Sequence, residues 1–182
     1  MRGTARVTRS QHLRVWQQEA FDLYQRKQPS DFLTVATPGA GKTTFALTIA
    51  ADLLARGVVA RIVIVTPTDH LKTQWALAAA GIGIAIDPTL PSRGVLGAGF
   101  QGFAVTYAGI AVNPNAYRNR IEHRKTMVIM DEVHHAGDAL TWGDGVQEAC
   151  EPAVRRLALT GTPFRSDDNP IPFVTYAPQT DG

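Results

Sequence analysis

Residues 32–43 read Phe-Leu-Thr-Val-Ala-Thr-Pro-Gly-Ala-Gly-Lys-Thr, and this stretch decides the fold. A short β-rich run leads into a turn that contains Pro38, Gly39 and Gly41, and an apolar helical pattern begins at about Lys42. The two glycines let successive backbone N–H groups face one concavity at the start of a helix, which favours an anion. The order of strand, glycine-rich loop and helix therefore predicts an α/β protein with an anion-binding loop.

A phosphate group is the anion that this loop suits best. Lys42 can reach the β- and γ-phosphates of a nucleotide, and the Thr43 hydroxyl can ligate Mg²⁺. The general pattern begins with glycine, and Ala36 holds that first position here. The alternative is a strand-to-helix turn that binds nothing. The residues predicted to bind the nucleotide are Thr37, Pro38, Gly39, Ala40, Gly41, Lys42, Thr43 and Thr44.

The rest of the chain alternates between strand and helix patterns. Residues 60–66 are almost all β-branched and apolar, which is typical of a strand covered on both faces. The predicted fold is therefore a doubly wound, mainly parallel sheet with helices on both faces. Further strands are expected at residues 102–107, 127–131 and 156–160, helices at 10–26 (capped by Ser10), 42–56 and 71–80, and a long surface loop at 87–102.

Composition excludes several classes of protein. The 182 residues fit one domain, and 45% hydrophobic with 19% charged residues exclude a disordered, collagen-like or coiled-coil chain. A net charge of +2 is too small to argue for nucleic acid by itself. The sequence has neither an apolar run long enough to cross a bilayer nor a secretory signal, and its lone Cys150 fits a reducing compartment. We therefore expect a cytoplasmic protein with no membrane partner.

An acidic pair follows the apolar run at residues 127–130. Because the carboxyl ends of parallel strands meet at one edge of a sheet, Asp131 and Glu132 are expected beside the bound ligand. Asp131 could hold Mg²⁺, partly through water, and Glu132 could polarise an attacking water as a general base. The alternative is that the two acids only cap the next helix.

Two histidines, His134 and His135, follow the acidic pair, with Asp138 beyond them. Together with Asp131 they could form a metal cluster, but their spacing matches no standard zinc pattern. Hydrogen-bonding roles are therefore favoured. A metal-dependent hydrolase that uses the His134/His135 region is kept as the less favoured alternative.

Taken together, these segments resemble the superfamily-two helicases and translocases. Residues 131–134 (Asp-Glu-Val-His) resemble the DExH box of that family, and the other matching segments occur in the family's order. Residues 13–20 resemble the entry motif of the DNA-translocating branch, which includes restriction-enzyme motor subunits. Three more segments resemble motif Ia (residues 64–68), motif Ic (105–107) and motif III (159–163).

The resemblance implies a RecA-like lobe over residues 11–165 that binds ATP and Mg²⁺, with the motif III strand between the phosphate-loop strand and the DExH strand. It implies catalytic roles for Lys42, Asp131 and Glu132, with Thr43 and Asp131 on the metal. It further implies that Gln17 contacts the adenine. His134, Thr160 and Thr162 would couple the nucleotide to nucleic acid, and the residues on the nucleic-acid backbone would be Pro67, Thr68, Thr106 and Tyr107.

The family hydrolyses ATP between two such lobes, and the second lobe supplies arginine fingers. The family's second lobe would follow this chain, and residues 166–182, with several Pro and Asp and no helical period, are expected to form a linker towards it, in the same chain or in another subunit. Residues 1–10 contain three arginines and little apolar character, so we expect a flexible basic arm there. Alone, the chain is expected to turn over ATP weakly or not at all. DNA is the expected partner, and an RNA helicase lobe is the alternative. A basic run before the acidic pair is either a solvated face or part of a nucleic-acid surface: Arg118, Arg120, Arg124 and Lys125.

Overall fold

A computed structural model of the protein describes residues 13–133 and 142–161. Helices and strands alternate along most of this length, as the sequence pattern predicts. In chain order the elements are α1 (Val15–Lys27), β1 (Asp31–Val35), α2 (Lys42–Ala55), β2 (Arg61–Thr66), α3 (Asp69–Ala80), β3 (Ile86–Asp87), β4 (Gly102–Thr106), α4 (Tyr107–Val112), α5 (Pro114–Glu122), β5 (Thr126–Met130), α6 (Trp142–Cys150) and β6 (Arg155–Thr160).

The strands form one six-stranded sheet in the order β1-β6-β5-β2-β4-β3, and every pair of neighbours is parallel. The prediction of a doubly wound parallel sheet is therefore confirmed. β6 lies between β1 and β5, as the resemblance implies for the motif III strand. The strands end at a common edge, because Val35 lies opposite Thr160 and Val65 lies opposite both Met130 and Val105. We call this the carboxyl edge.

Helices cover both faces of the sheet. Alternate residues of β2 point to opposite sides, so Ile62 and Ile64 join the core beneath α1, α2 and α3, whereas Val63 and Val65 join the core beneath α4, α5 and α6. All four side chains have no exposed surface. Burial of each such side chain contributes about 1.5–3 kcal/mol to folding, which explains why a continuous apolar run is needed in a central strand.

The first helix begins later than the sequence pattern predicts. Ser10, the predicted N-cap, lies outside the described residues, and α1 starts after Arg14. The side-chain oxygen of Gln17 accepts a 2.7 Å hydrogen bond from the Arg14 backbone N–H, which satisfies one of the free donors at the helix start. The helix ends at Gln28, whose φ of 46° lies in the left-handed region.

Two short helices, α4 and α5, occupy a stretch in which the sequence pattern predicts no helix. The Thr106 hydroxyl accepts a 3.0 Å hydrogen bond from the Gly109 N–H and so caps α4, and Pro114 occupies the first turn of α5. The expected loop at residues 87–102 is confirmed, with β3 as a short edge strand before it. Among the described helices, none combines the length and the apolar character needed to span a bilayer.

Candidate nucleotide site at the carboxyl edge of the sheet

The glycine-rich loop connects β1 to α2 at the carboxyl edge. Gly39 and Gly41 have φ values of 76° and 93°, a region that side chains with a Cβ rarely adopt. A Cβ on Gly41 would also lie 2.5 Å from Nε2 of Gln17. Ala36 does not have a positive φ, and its N–H donates a 3.0 Å hydrogen bond to the Thr160 carbonyl. Alanine therefore fits the first position of the loop without backbone strain.

Three side chains from the start of α1 hold three consecutive carbonyl groups of this loop. Arg14 Nη1 donates to the Gly39 carbonyl (3.1 Å), Trp16 Nε1 to the Ala40 carbonyl (3.2 Å) and Gln17 Nε2 to the Gly41 carbonyl (2.8 Å). In a trans peptide the N–H points opposite to the C=O of the same unit. Because the carbonyls of residues 40 and 41 face α1, the N–H groups of residues 41 and 42 face away from it, as an anion-binding loop requires.

Gln17 is buried between the start of α1 and the loop. It is 2% exposed, its Nε2 donates to the Gly41 carbonyl and its Oε1 accepts from the Arg14 N–H. Both ends of the amide therefore hold parts of the chain that adjoin the loop. The adenine contact of Gln17 stays a prediction.

The structure brings Lys42 and the acidic pair together. Lys42 Nζ lies 3.2 Å from Oε1 of Glu132 and donates a 2.9 Å hydrogen bond to the Ala36 carbonyl. The other carboxylate oxygen of Glu132 accepts a 3.2 Å hydrogen bond from the Gly161 N–H. Glu132 has a φ of 45°, an uncommon value for a residue with a side chain. The turn after β5 therefore holds this carboxylate over the loop, beside the ammonium group.

Asp131 is 9% exposed and is held by two aromatic residues. The Trp75 indole N–H donates a 2.8 Å hydrogen bond to Oδ2 of Asp131, and the Tyr107 hydroxyl donates a 2.8 Å hydrogen bond to the Asp131 carbonyl. Burial raises the pKa of Asp131, the Trp75 hydrogen bond opposes the rise, and the charge of Glu132 adds to it. Burial, together with the nearby carboxylates, also raises the pKa of Tyr107 well above its usual value, so this hydroxyl stays a donor.

The sequence pattern predicts only that Trp75 lies in the helix expected at residues 71–80, and it does not indicate a role for this side chain at the site. The only signal was indirect, since a buried indole N–H usually finds a hydrogen-bond partner. The side chain is 2% exposed, so it does pack in the core, but its N–H also fixes a carboxylate of the candidate site.

The remaining nucleotide-site predictions lie on or next to the same loop. Thr43 and Thr44 are half-buried in the first turn of α2, Thr37 and Pro38 are exposed in the loop, and Thr160 is buried at the end of β6. Hydroxyl and carboxylate oxygens, here from Thr43, Asp131 and Glu132, are the donors that Mg²⁺ prefers. No cluster of three or more metal-ligating side chains occurs within residues 13–133 and 142–161. His134, His135, Asp138 and Thr162 lie outside the described residues.

Two of the residues expected to contact nucleic acid lie at the turn after β2. Pro67 is half-buried and Thr68 is exposed immediately before α3. Thr66 and Thr106 are partners in the sheet register, so this turn lies beside the end of β4. Thr106 is half-buried, and its hydroxyl already caps α4.

Tyr107 follows Thr106 at the start of α4. Its side chain has no exposed surface, and its hydroxyl donates to the Asp131 carbonyl, so this side chain supports the acidic pair from within the core. The nucleic-acid contact of the Thr106–Tyr107 segment stays a prediction.

The fold is that of helicase and translocase ATPase cores. The chain is similar to the SWI2/SNF2 ATPase core of Sulfolobus solfataricus in complex with double-stranded DNA, with a TM-score of 0.67 and 19% identity, covering 84% of this chain and 32% of that one. The helicase domain of Hef from Pyrococcus furiosus gives a TM-score of 0.63 and 21% identity, covering 84% and 33%. The chain is also similar to a nuclease-deletion mutant of the type ISP restriction-modification enzyme LlaGI in complex with a DNA substrate mimic. The TM-score is 0.62 and the identity is 19%, and the match covers 87% of this chain and 19% of that one.

The chain belongs to the family described as type III restriction enzyme, res subunit, whose model matches residues 10–84 and 103–165. The resemblance to superfamily-two helicases and translocases is thereby confirmed. An uncharacterized protein of Mycobacterium tuberculosis strain H37Rv is 56% identical over 171 residues, which are 93% of this chain and 28% of that protein. One from Mycobacterium leprae is 52% identical over 179 residues, covering 98% and 30%. The chain therefore spans less than a third of the length of these relatives.

Proposed function

We propose that this chain is the ATP-binding first lobe of an ATP-dependent DNA helicase or translocase. One observation carries the proposal: Lys42 Nζ lies 3.2 Å from the Glu132 carboxylate, beside the Ala36 carbonyl at the start of the glycine-rich loop. These two residues come from different strand ends of the sheet. A cation and an acidic pair that meet over an anion-binding loop suit the terminal phosphates of a nucleotide and the water that attacks them.

The Lys42 ammonium group is the proposed phosphate ligand. Its Nζ donates to the Ala36 carbonyl and pairs with Glu132. A triphosphate in the loop carries more negative charge than one carboxylate, so it would draw Lys42 towards the β- and γ-phosphates. Glu132 would then lose its contact with Lys42 and could accept a proton from the attacking water.

Thr43 and Asp131 are the residues that would hold Mg²⁺, Asp131 partly through water. When bound, the metal neutralises charge that develops on the phosphates. Trp75 fixes one oxygen of Asp131 by its 2.8 Å hydrogen bond, and the Gly161 N–H fixes one oxygen of Glu132. The chain thus holds both carboxylates in place for these two separate tasks.

DNA is the proposed nucleic acid, because the SWI2/SNF2 core and the LlaGI enzyme to which the chain is similar are both described in complex with DNA or a DNA mimic. The Pro67–Thr68 turn and Thr106 are the proposed backbone contacts, and Thr160, Thr162 and His134 are proposed to couple them to the nucleotide. Efficient hydrolysis is proposed to need a second RecA-like lobe, and the protein is proposed to act in the cytoplasm.

Nucleotide binding by the purified chain tests the proposal. A fluorescent ATP analogue with Mg²⁺ should bind the chain, and Lys42→Ala should weaken binding at least about tenfold, because a charge-assisted phosphate contact is lost. Lys125→Ala is the matched control, since Lys125 is an exposed lysine outside the site. Glu132→Gln should keep nucleotide binding. Binding that is indifferent to Lys42, together with stoichiometric zinc, would favour the hydrolase alternative instead.

Turnover tests the need for a second lobe. The 182-residue chain should hydrolyse ATP barely, with or without DNA. Robust DNA-stimulated hydrolysis by this chain alone would contradict the requirement while leaving the nucleotide site intact. Stimulation by RNA but not by DNA, in the longer protein, would favour an RNA helicase.

A further inference from the structure

A cavity of about 450 Å³ lies at the opposite edge of the sheet from the glycine-rich loop. Its wall includes Arg61, the first residue of β2, and Phe103 near the start of β4. A smaller cavity of about 120 Å³ shares Arg61, Leu96 and Arg124 with it, so the two are adjacent. Ligand pockets in proteins are typically of this combined size. We call the pair the amino-edge cavity.

The described wall of the amino-edge cavity carries positive charge without a carboxylate. Arg61, Arg120 and Arg124 line it, and no Asp or Glu is among the described residues that do. Arg118, two residues from Arg120, differs: its Nη1 lies 2.6 Å from the Glu151 carboxylate. Within the basic run, Arg118 therefore forms an ion pair inside the chain, whereas Arg120 and Arg124 line the cavity.

Arg120 is held rigidly but is only partly satisfied. Its guanidinium lies 5.7 Å from the ring centres of both Phe103 and Tyr117, and its Nη2 donates to the Pro91 and Gly94 carbonyls. Its Nη1 is buried and has no hydrogen-bond partner within the described parts of the chain. Because Nη1 is buried, a ligand in the cavity would meet the positive charge of Arg120 rather than this donor.

The arginines also act on one another. Arg61 Nη1 donates a 2.8 Å hydrogen bond to the Arg120 carbonyl, which fixes Arg61 at the cavity wall. Burial lowers the pKa of Arg61, and the charges of Arg124 and Arg120 lower it further. The same repulsion that disfavours a third cation favours an anion between them.

We propose that the amino-edge cavity binds a nucleoside phosphate, with the phosphate on Arg61, Arg120 and Arg124 and the base against apolar side chains. Guanidinium forks match phosphate geometry, and a phosphate can carry more charge than a carboxylate. Leu90, Val95 and Leu96 provide the apolar wall, and Phe100, which is 41% exposed, lies at the smaller cavity. This site is separate from the proposed ATP site and does not depend on it.

Two sources could supply this ligand, a free nucleotide or one strand of a nucleic acid, and methyl NMR distinguishes them. The methyl groups of Val95 and Leu96 report on the amino-edge cavity, and those of Val35, which is 46% exposed at the end of β1, report on the opposite edge. The probes are AMP, a twelve-residue oligodeoxythymidine and a poly-glutamate peptide whose net charge equals that of the oligodeoxythymidine. Either of the first two should shift the Val95 and Leu96 signals.

Arg124→Gln and Lys125→Gln form a matched pair, because both remove one exposed positive charge and only Arg124 lines the cavity. Arg124→Gln should weaken probe binding at this site about tenfold, and Lys125→Gln should change it less than twofold. For the oligonucleotide, Arg124→Gln should also reduce the salt slope by about 0.7, the value for one phosphate contact on a single strand.

Shifts with AMP identify a free nucleotide as the ligand, and shifts with the oligonucleotide alone identify a strand. Both outcomes support the proposal. It is overturned if neither probe shifts the Val95 and Leu96 signals, or if the two variants weaken binding equally, which would mean a diffuse positive field. If poly-glutamate binds at this cavity as tightly as the oligodeoxythymidine, the proposal is overturned in favour of an acidic protein partner.

Discussion

The indole N–H of Trp75 donates a 2.8 Å hydrogen bond to Oδ2 of Asp131, across 56 positions of sequence. This bond joins α3, which begins next to the proposed nucleic-acid turn at Thr68, to the proposed magnesium ligand. Both side chains are buried, so the bond is shielded from water and is stronger than an exposed one.

Trp75→Phe should weaken magnesium-dependent nucleotide binding. The Trp75 hydrogen bond lowers the pKa of Asp131, so its loss should raise that pKa further and favour the protonated form, which does not bind metal. Groups that orient a metal ligand typically contribute 10–100-fold to metal affinity. We expect at least about tenfold more Mg²⁺ for half-maximal binding of the fluorescent ATP analogue, with a larger deficit at pH 6 than at pH 8.

Tyr107→Phe is the control for Trp75→Phe. It removes a hydrogen bond to the same residue, but to the backbone carbonyl rather than to the carboxylate. Both variants should lower the free energy of unfolding, by about 0.5–3 kcal/mol. Only Trp75→Phe should change the Mg²⁺ requirement and its pH dependence. If the two variants raise that requirement equally, Trp75 acts only through packing.

Gly41→Ala and Gly39→Ala should differ, although both glycines have a positive φ. A Cβ on Gly39 meets nothing within 4 Å, so only the backbone strain of about 1–2 kcal/mol is expected. A Cβ on Gly41 would lie 2.5 Å from Gln17 Nε2, so Gln17 must also leave the Gly41 carbonyl. Urea unfolding and nucleotide binding should both show the larger loss for Gly41→Ala.

Removing the Gln17 side chain checks that explanation. If the clash is the cause, Gly41→Ala should cost less in a Gln17→Ala background than in the wild-type chain. Equal costs in the two backgrounds would mean that backbone strain alone explains the effect.

The sheet and its central strands could be predicted because their pattern is local. Residues 62–65 are four consecutive apolar residues, and only a strand covered on both faces buries all four of them. Helices α4 and α5 could not be found in this way. They contain six and nine residues, too few for a helical period to emerge, and they are set by the Thr106 cap and by Pro114.

The meeting of Lys42 and the acidic pair was also accessible from sequence, because strand ends of a parallel sheet share an edge. The partners of Gln17, Trp75 and Tyr107 were not accessible. A glutamine near a helix start and aromatic residues at helix positions look the same whether they face a ligand or the core. Their hydrogen bonds to the Gly41 carbonyl and to Asp131 depend on packing between elements that are distant in sequence.

Arg156→Lys should destabilise the fold at the edge of the sheet. The Arg156 guanidinium binds both carboxylate oxygens of Asp31, with Nη2 at 3.0 Å from Oδ2, and Nη1 also donates to carbonyls at the end of α6. A lysine cannot reproduce this fork. We expect the free energy of unfolding to fall by about 1–3 kcal/mol at pH 7. Arg56→Lys is the control, since Arg56 pairs with Asp52 at the surface and should lose at most about 1 kcal/mol.

The loss from Arg156→Lys should depend on pH. Burial alone would raise the pKa of Asp31, but the hydrogen bonds from Arg156 and Ser30 outweigh burial and lower it. The stability that such a carboxylate contributes is present above its unfolded pKa and is lost as the pH falls through its folded pKa. The difference between the wild-type and variant chains should therefore narrow in acid, to the part that comes from the Nη1 hydrogen bonds to backbone carbonyls, which do not titrate. A difference that stays constant down to about pH 2 would contradict this account.

Asp131→Asn should stabilise the chain at neutral pH while weakening magnesium-dependent nucleotide binding. The pKa of Asp131 is raised, mainly by burial, so its charged form is disfavoured by folding. The charged carboxylate lowers the free energy of unfolding by its full amount above the folded pKa of Asp131. This loss of stability disappears below the unfolded pKa of about 3.8, where the group is protonated in both states. The amide oxygen of asparagine can still accept the Trp75 N–H. We expect a higher melting temperature at pH 7.5, by about 2–4 °C for each kcal/mol relieved, and convergence with the wild-type chain in acid.

Asp22→Asn, at an exposed position of α1, is the control and should leave the melting temperature within about 1–2 °C of the wild-type value. A lower melting temperature for Asp131→Asn at pH 7.5 would mean that the Asp131 charge is stabilised where it lies, and that the site is not held in a destabilised state before metal binds.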